Sequence, residues 1–304
     1  VRWLEHGDRE GFGHVRSRVY RGGGAVGIDE NLLREDSDGL VIVHPEGGIV
    51  GAATVLDMTY SRHGHPHRNA GIAAVGVLPE WRGRGAGTAL MNGLLDRLRE
   101  REFEIATLFP FRDRWYARFG FVTHGVRYEI KAESSRLPMA SSDLELRELG
   151  RGDWHEIAPV LEAWAHRYDG INRRTPDQWW RVLGGDTPLA VYGAGDPLEA
   201  YAVVRLVGDF WVPQEIKEFL WTSERGYRAL LGLFRGLAMN KSHVVWPEPA
   251  DSPYLSEHFD RPVEVKLIGP AMYRLVNEVD HEHARVATRA WLGDPARCGN
   301  IEQF

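Results

Sequence analysis

Val75-Gly76-Val77-Leu78-Pro79-Glu80-Trp81-Arg82-Gly83-Arg84-Gly85-Ala86-Gly87-Thr88 joins an apolar run to an amphipathic one. Upstream, residues 71–78 read as a strand. Downstream, Leu90, Leu94 and Leu98 recur at i, i+4 and i+8 with Met91 and Leu95 beside them, a stripe that commits one helix face to a core. Glycine tolerates left-handed dihedrals and lets the backbone approach a ligand closely. The first amides of the following helix have no partner within it and sit at the positive end of its dipole. A strand, a glycine-rich loop and a helix start in that order therefore suit an anion such as a pyrophosphate, and Arg82 and Arg84 add charge. A G-x-G pair alone suits an ordinary turn equally well. A dinucleotide fingerprint would read G-x-G-x-x-G with an acidic residue about 20 positions on, and a P-loop would need Gly-Lys-Ser/Thr. The stretch fits neither.

Working outward, the N-terminal part alternates helices and strands. Phe12, Val15 and Val19 share a helical face over residues 12–20, and residues 40–43 and 49–56 are β-rich runs around a turn at 45–48. Residues 104–109 read as a strand, a short helix holds Trp115 and Tyr116, and 121–130 reads as one strand turning back along the sheet. Residues 132–143 are small and polar, a linker. A second unit follows, with helices around 153–168, 176–183 and 223–239 and strands near 188–192, 198–207, 243–246 and 263–275. Its element order resembles that of the first unit, so a duplicated fold with one decayed copy is the economical reading. The charged stretch after Val279 fits neither unit.

Composition sets the bounds. The chain has 304 residues, twice the roughly 150 that serve as a prior for one domain, so two domains are expected. Apolar residues at 43% and charged residues at 26% are ordinary globular usage, which argues against disorder. No run reaches the roughly 20 apolar residues that span a bilayer, and the first residues lack the apolar core of a signal peptide, so a cytoplasmic protein with no membrane partner is expected. A net charge of −6 argues against nucleic acid as partner. The single cysteine, Cys298, excludes an intramolecular disulfide and a Cys-based zinc site, and reads as a spectator thiol. His63, His65 and His67 crowd one short loop without a distant partner, which favours a solvated turn over a metal site.

Arg82-x-x-Gly85-x-Gly87 after Val75-Gly76-Val77 resembles the acetyl-CoA signature R/Q-x-x-G-x-G/A of the GNAT superfamily of N-acetyltransferases. Tyr116-Ala117-Arg118-Phe119-Gly120-Phe121 is similar to the Tyr-x-Arg-Phe-Gly-Tyr/Phe block of its enhanced intracellular survival (Eis) family, at matching separation from the first block. That family has tandem GNAT domains followed by a sterol-carrier-like domain, and its members acetylate amines, aminoglycosides among them. The resemblance is specific over 70–121 and only topological in the second unit. It implies that Val75, Gly76 and Val77 hydrogen-bond the pantetheine arm and that Gly83, Arg84, Gly85, Ala86, Gly87 and Thr88 cradle the pyrophosphate. It further implies that Phe111 and Arg112 touch the cofactor near Tyr116, and that Tyr116 is the general acid. Chemically, an amine attacking a thioester builds negative charge on the acyl oxygen that a backbone N–H can stabilise, and a phenol can protonate the departing thiolate. The family also places a terminal phenylalanine carboxylate in the site as base, a role that would fall to Phe304. Only about 25 residues follow Val279, too few for a sterol-carrier-like domain.

In the second unit Thr222-Ser223-Glu224-Arg225-Gly226-Tyr227-Arg228 stands where a pyrophosphate loop would fall, with a single glycine, so that unit is not expected to bind the cofactor. Its tryptophans read mostly as core, with a few left to line a substrate cleft between the units. The expected architecture is α+β: a catalytic GNAT domain over 1–135, a degenerate GNAT-like domain over 144–277, both with mixed central sheets, and a C-terminal segment over 278–304 that ends in the active site and is read as a remnant of a sterol-carrier-like domain. The expected function is acetyl-CoA-dependent acetylation of a primary amine on a small molecule by direct attack, without a metal, in a homo-oligomer that the resemblance makes a hexamer. The alternative is a non-catalytic acyl-CoA-binding or regulatory module.

Overall fold

The computed structural model describes residues 1–20, 36–46, 48–139, 144–184, 189–206, 208–257 and 263–299. The chain begins with β1 (Arg2–Trp3), α1 (Arg9–Tyr20), β2 (Ser37–His44), β3 (Gly48–Arg62), β4 (His65–Val77) and α2 (Ala86–Glu100). Then come β5 (Ile105–Leu108), α3 (Asp113–Ala117), β6 (Val122–His124) and β7 (Arg127–Ala132). The second half contains β8 (Leu146–Leu149), α4 (Trp154–Arg167), α5 (Pro176–Val182), β9 (Leu189–Ala194), β10 (Ala200–Arg205), β11 (Gln214–Trp221), α6 (Glu224–Leu237) and β12 (Val244–Pro249). It closes with α7 (Pro253–Glu257), β13 (Glu264–Leu267), β14 (Ala271–Leu275) and α8 (His281–Leu292).

These strands form two seven-stranded mixed sheets, ordered β1-β2-β3-β4-β5-β14-β6 and β13-β7-β12-β11-β10-β9-β8. On the first, the expected stripe is buried: Leu90, Met91, Leu94, Leu95 and Leu98 of α2 pack on Leu40, Ala53, Val55, Ala70 and Ile72. Each such leucine contributes about 1.5–3 kcal/mol by leaving water.

Sheet membership does not follow chain order. The stretch 121–130 is two strands, not one, and they enter different sheets, β6 the first and β7 the second. Gly125 lies between them at φ +102, where a Cβ would meet Cys298 Sγ at 3.1 Å, so the chain can turn sharply there only as glycine. The stretch 263–275 divides likewise: β13 joins β7, whereas β14 inserts between β5 and β6. Divisions at 135 and 144 therefore cut across both sheets, because each sheet takes a strand from the far side of the linker. A fragment ending at residue 135 would lack β14, which carries Met272 into the first core beside Val276. Such a fragment should show secondary structure without fixed near-UV aromatic dichroism; native-like near-UV signal would contradict the exchange of strands.

β11 was absent from the sequence reading because Gln214, Glu215, Lys217 and Glu218 break its apolar pattern. Glu218 is nonetheless buried, since Arg174 grips it with both terminal nitrogens and the Tyr201 hydroxyl donates to it. Unpairing such a buried charge costs about 3–5 kcal/mol. The segment after Val279 is likewise no loose tail. Thr288 of α8 accepts the Leu275 N–H through Oγ1 at 2.9 Å, and Ala284, Thr288 and Leu292 are buried. Beyond α8 the chain crosses to the second half, where Asp169 N–H donates to Arg297 and Gly299 N–H donates to Asp169, at 2.7 and 2.8 Å.

Candidate active site

The site begins as a defect in β4. Ala52 of β3 faces Gly76 and Thr54 faces Ala73, so Ala74 and Val75 together oppose Ala53. Ala74 sits at φ +50, unusual for a residue with a side chain, and the bulge bends the strand. β4 and β5 pair in parallel only from Asn69↔Ile105 to Ile72↔Leu108. Past Ile72 they separate and leave a gap with a bare strand edge. Leu78 N–H donates to Val50 on the β3 side at 2.9 Å. Because ladder direction alternates, Gly76 also faces β3, while Val75 and Val77 aim N–H and C=O into the gap. Gly76 serves packing instead: a Cβ there would meet Val19 of α1 at 3.1 Å.

The glycine loop leads from this edge to α2. Gly83 and Gly85 hold φ +72 and +84, so backbone geometry demands glycine, and among the described residues no atom lies within 4 Å of where their Cβ atoms would be. Gly85 is the N-cap and supplies no side-chain cap, which leaves the first-turn amides of Ala86, Gly87 and Thr88 available to an anion. At Gly87 a Cβ would stand 3.3 Å from the Trp115 ring. Arg84 is exposed, its guanidinium 5.6 Å from the Trp81 ring centre. Arg82 turns back and donates from Nε to the Val77 carbonyl at 3.0 Å.

α3 forms the facing wall. Tyr116 is buried among Phe111, Trp115 and Phe121, with ring centres 5.6, 4.8 and 6.2 Å away. Burial lifts its phenol well above the usual tyrosine range, and nearby Tyr20 adds to the effect, so Tyr116 keeps its proton at neutral pH. Phe111 is two-thirds exposed and Arg112, the residue before α3, is exposed. Phe304 lies outside the described residues.

Two residues at this site escaped sequence reasoning. Arg118 donates to the Thr88 hydroxyl at 3.3 Å, which brings a third arginine to the start of α2. Tyr20, the last residue of α1, donates its hydroxyl to the Val75 carbonyl at 2.6 Å. The quoted Tyr-x-Arg block contained Arg118, but Tyr20 is 55 positions from Val75 and no local pattern ties them. The histidines of the 63–67 loop go separate ways: His63 Nδ1 lies 3.9 Å from Asp169, and His67 Nδ1 lies 2.8 Å from Glu104. No group of three or more potential metal ligands gathers among the described residues. Among them, too, no helix is long and apolar enough to cross a membrane. A cavity of about 1080 Å³ lies elsewhere, lined by Met58 of β3 and by the Arg174–Glu218 pair among others, and includes none of the expected site residues.

The matching place in the second half is closed. β11 and β12 pair in parallel for two residues and then part, as β4 and β5 part after four. Aromatic side chains gather there: Phe219 stacks on Tyr227 at 5.2 Å, and Trp221 lies 4.5 Å from Tyr227 and 4.9 Å from Trp164. The α6 N-terminus is capped by Ser223 Oγ, which accepts the Gly226 N–H at 3.0 Å. A Cβ at Gly226 would sit 2.9 Å from the Glu199 carbonyl, so this glycine serves packing. Under the aromatics Glu248 accepts from the Tyr227 hydroxyl and Trp246 Nε1 at 2.7 and 2.8 Å, and burial pushes its carboxyl up to about 7. A carboxyl raised in the folded state favours folding when protonated, so its contribution is complete below about pH 4.5 and is lost as pH rises through about 7. Glu248→Gln should flatten the melting-temperature profile between pH 5 and 8; an unchanged slope would refute this.

A bulged strand parts from its parallel neighbour beside an uncapped, glycine-led helix, on an α+β fold of two GNAT-like units. Residues 2–123 match the family model described as acetyltransferase (GNAT) domain, so the chain carries a GNAT acetyltransferase domain. It has no significant match among curated proteins. Solved structures with the same fold include a probable N-acyltransferase from Enterococcus faecalis V583, with TM-score 0.80 and 17% identity over 90% of this chain and 72% of that one. A GCN5-related N-acetyltransferase from Kribbella flavida gives TM-score 0.75 at 24% identity, over 90% of this chain and 70% of that one. Eis1 from Mycobacterium abscessus gives 0.70 at 23%, over 91% and 73%.

Proposed function

We propose that this protein transfers the acetyl group of acetyl-CoA to a primary amine of a small molecule by direct attack, at the cleft of the first sheet alone. The observation that carries the reading is the pairing of two open donor sets on one path: the amides of the uncapped α2 start and the outward N–H groups of Val75 and Val77. The residues fit coenzyme A because the cradle at Gly83 and Gly85 is free of side chains and flanked by Arg84 and Arg118. Acetyl-CoA supplies an activated acyl thioester. The chain's own part is to line its arm along the β4 edge, to offer Val75 N–H to negative charge on the acyl oxygen, and to hold the Tyr116 proton in a dry wall for the leaving sulfur. The proton the amine sheds as C–N forms and C–S breaks passes to the base that the resemblance assigns to the Phe304 carboxylate, and through solvent back to the phenol. The second half, filled by Phe219, Trp221 and Tyr227, serves as scaffold.

Acetyl-CoA incubated with a panel of amines tests the reading by release of free thiol. Amine-dependent thiol release by the wild type is the expected result. Coenzyme A binding without amine-dependent release from any acceptor would favour a non-catalytic acyl-CoA-binding module instead.

A further inference from the structure

Both outward carbonyls of the β4 edge are already held by side chains. Arg82 Nε donates to Val77, and the Tyr20 hydroxyl donates to Val75. The two contacts differ in kind. Arg82 is five positions from its acceptor and belongs to the glycine loop itself. Tyr20 reaches across from the end of α1 and is 55% exposed. The Val75 carbonyl aims into the gap, so a hydroxyl bound to it stands within the gap, close enough to Tyr116 to affect its phenol. An extended arm bearing amides would add to this edge as a strand adds to a sheet, through main-chain donors and acceptors in alternation. The arm of coenzyme A carries two amide N–H groups, and the Val75 carbonyl is an acceptor that one of them needs.

We propose that the Tyr20 hydroxyl is a placeholder for a pantetheine amide. It satisfies the Val75 carbonyl in the free protein and yields it when the arm enters. This rests on the reading of the cleft as a coenzyme A site and adds a positioning residue to it. Tyr20 thereby lowers affinity for ligands that carry the arm and leaves untouched those that carry only the nucleotide and pyrophosphate. It also returns to Val75 as the arm departs, which speeds release of the spent coenzyme.

Tyr20→Phe removes the hydroxyl and keeps the ring. Isothermal titration of wild type and variant with coenzyme A and with ADP, which has a pyrophosphate but no arm, separates the possibilities. The expected result is a Kd for coenzyme A about 2–10-fold lower in the variant, the worth of one net hydrogen bond. Its dissociation rate should slow by a similar factor in stopped-flow displacement, with ADP affinity unchanged. Equal or weaker coenzyme A binding in Tyr20→Phe, with ADP still bound by both proteins, overturns the placeholder and leaves the cofactor reading standing. An equal tightening of ADP also overturns it, since the effect would then not pass through the arm. Failure of the wild type to bind either ligand overturns both.

Discussion

If the head of α2 holds the pyrophosphate as proposed, Gly87→Asp should abolish coenzyme A binding and leave the fold intact. Gly87 is the second residue of α2, and its amide is among those that face the open cradle. A carboxylate there meets the pyrophosphate at close range. Two like charges about 4 Å apart at an effective dielectric near 20 repel by about 4 kcal/mol, so affinity should fall by at least about 100-fold. An acidic residue in a first helical turn is itself favourable to the helix, so loss of binding would not stem from loss of structure. The Trp115 ring, 3.3 Å from a Cβ at this position, must shift by a few tenths of an ångström. Gly87→Ala carries that same Cβ without the charge and should lose far less. Calorimetry that finds unchanged affinity in Gly87→Asp, or two sites per chain in the wild type, would refute the assignment.

Tyr116→Phe should lower kcat by about 100-fold or more, the scale of a lost general acid, with coenzyme A affinity nearly unchanged. The ring is retained, so its edge contacts with Phe111, Trp115 and Phe121 persist and the wall does not collapse. Because burial keeps the phenol protonated well beyond neutrality, the acidic group should impose no falling limb on the rate between pH 7 and 9 in the wild type. Normal turnover in the variant would make Tyr116 a structural residue and leave the thiolate to water.

Much of this site was legible in the chain itself. Open cradles and tight helix starts need glycine at fixed positions, and the apolar stripe of α2 has helical period, so both leave local marks. The likeness of residues 75–88 and 116–121 to known blocks adds residue roles that no spacing could supply. The single glycine at 226 sets the loop of the second half apart in the sequence, but it does not disclose the aromatic filling behind it. Trp164, Trp221 and Tyr227 come from three elements, and only packing brings their rings together.

By itself the sequence determined the elements whose cause is local: the helix stripes, the glycine loop, the two-unit order, and the glycine-led head of α2. Tertiary structure alone decided which strand joins which sheet, because pairing partners are chosen by long-range burial. β6 and β7, which begin five positions apart and locally read as one run, part at Gly125 for that reason. It alone made a strand of the charged stretch Gln214–Trp221, since Arg174 supplies the partner that lets Glu218 be buried. And it alone placed the Tyr20 hydroxyl on the Val75 carbonyl, a contact between a helix end and a strand bulge that exists only once both pack on the same sheet.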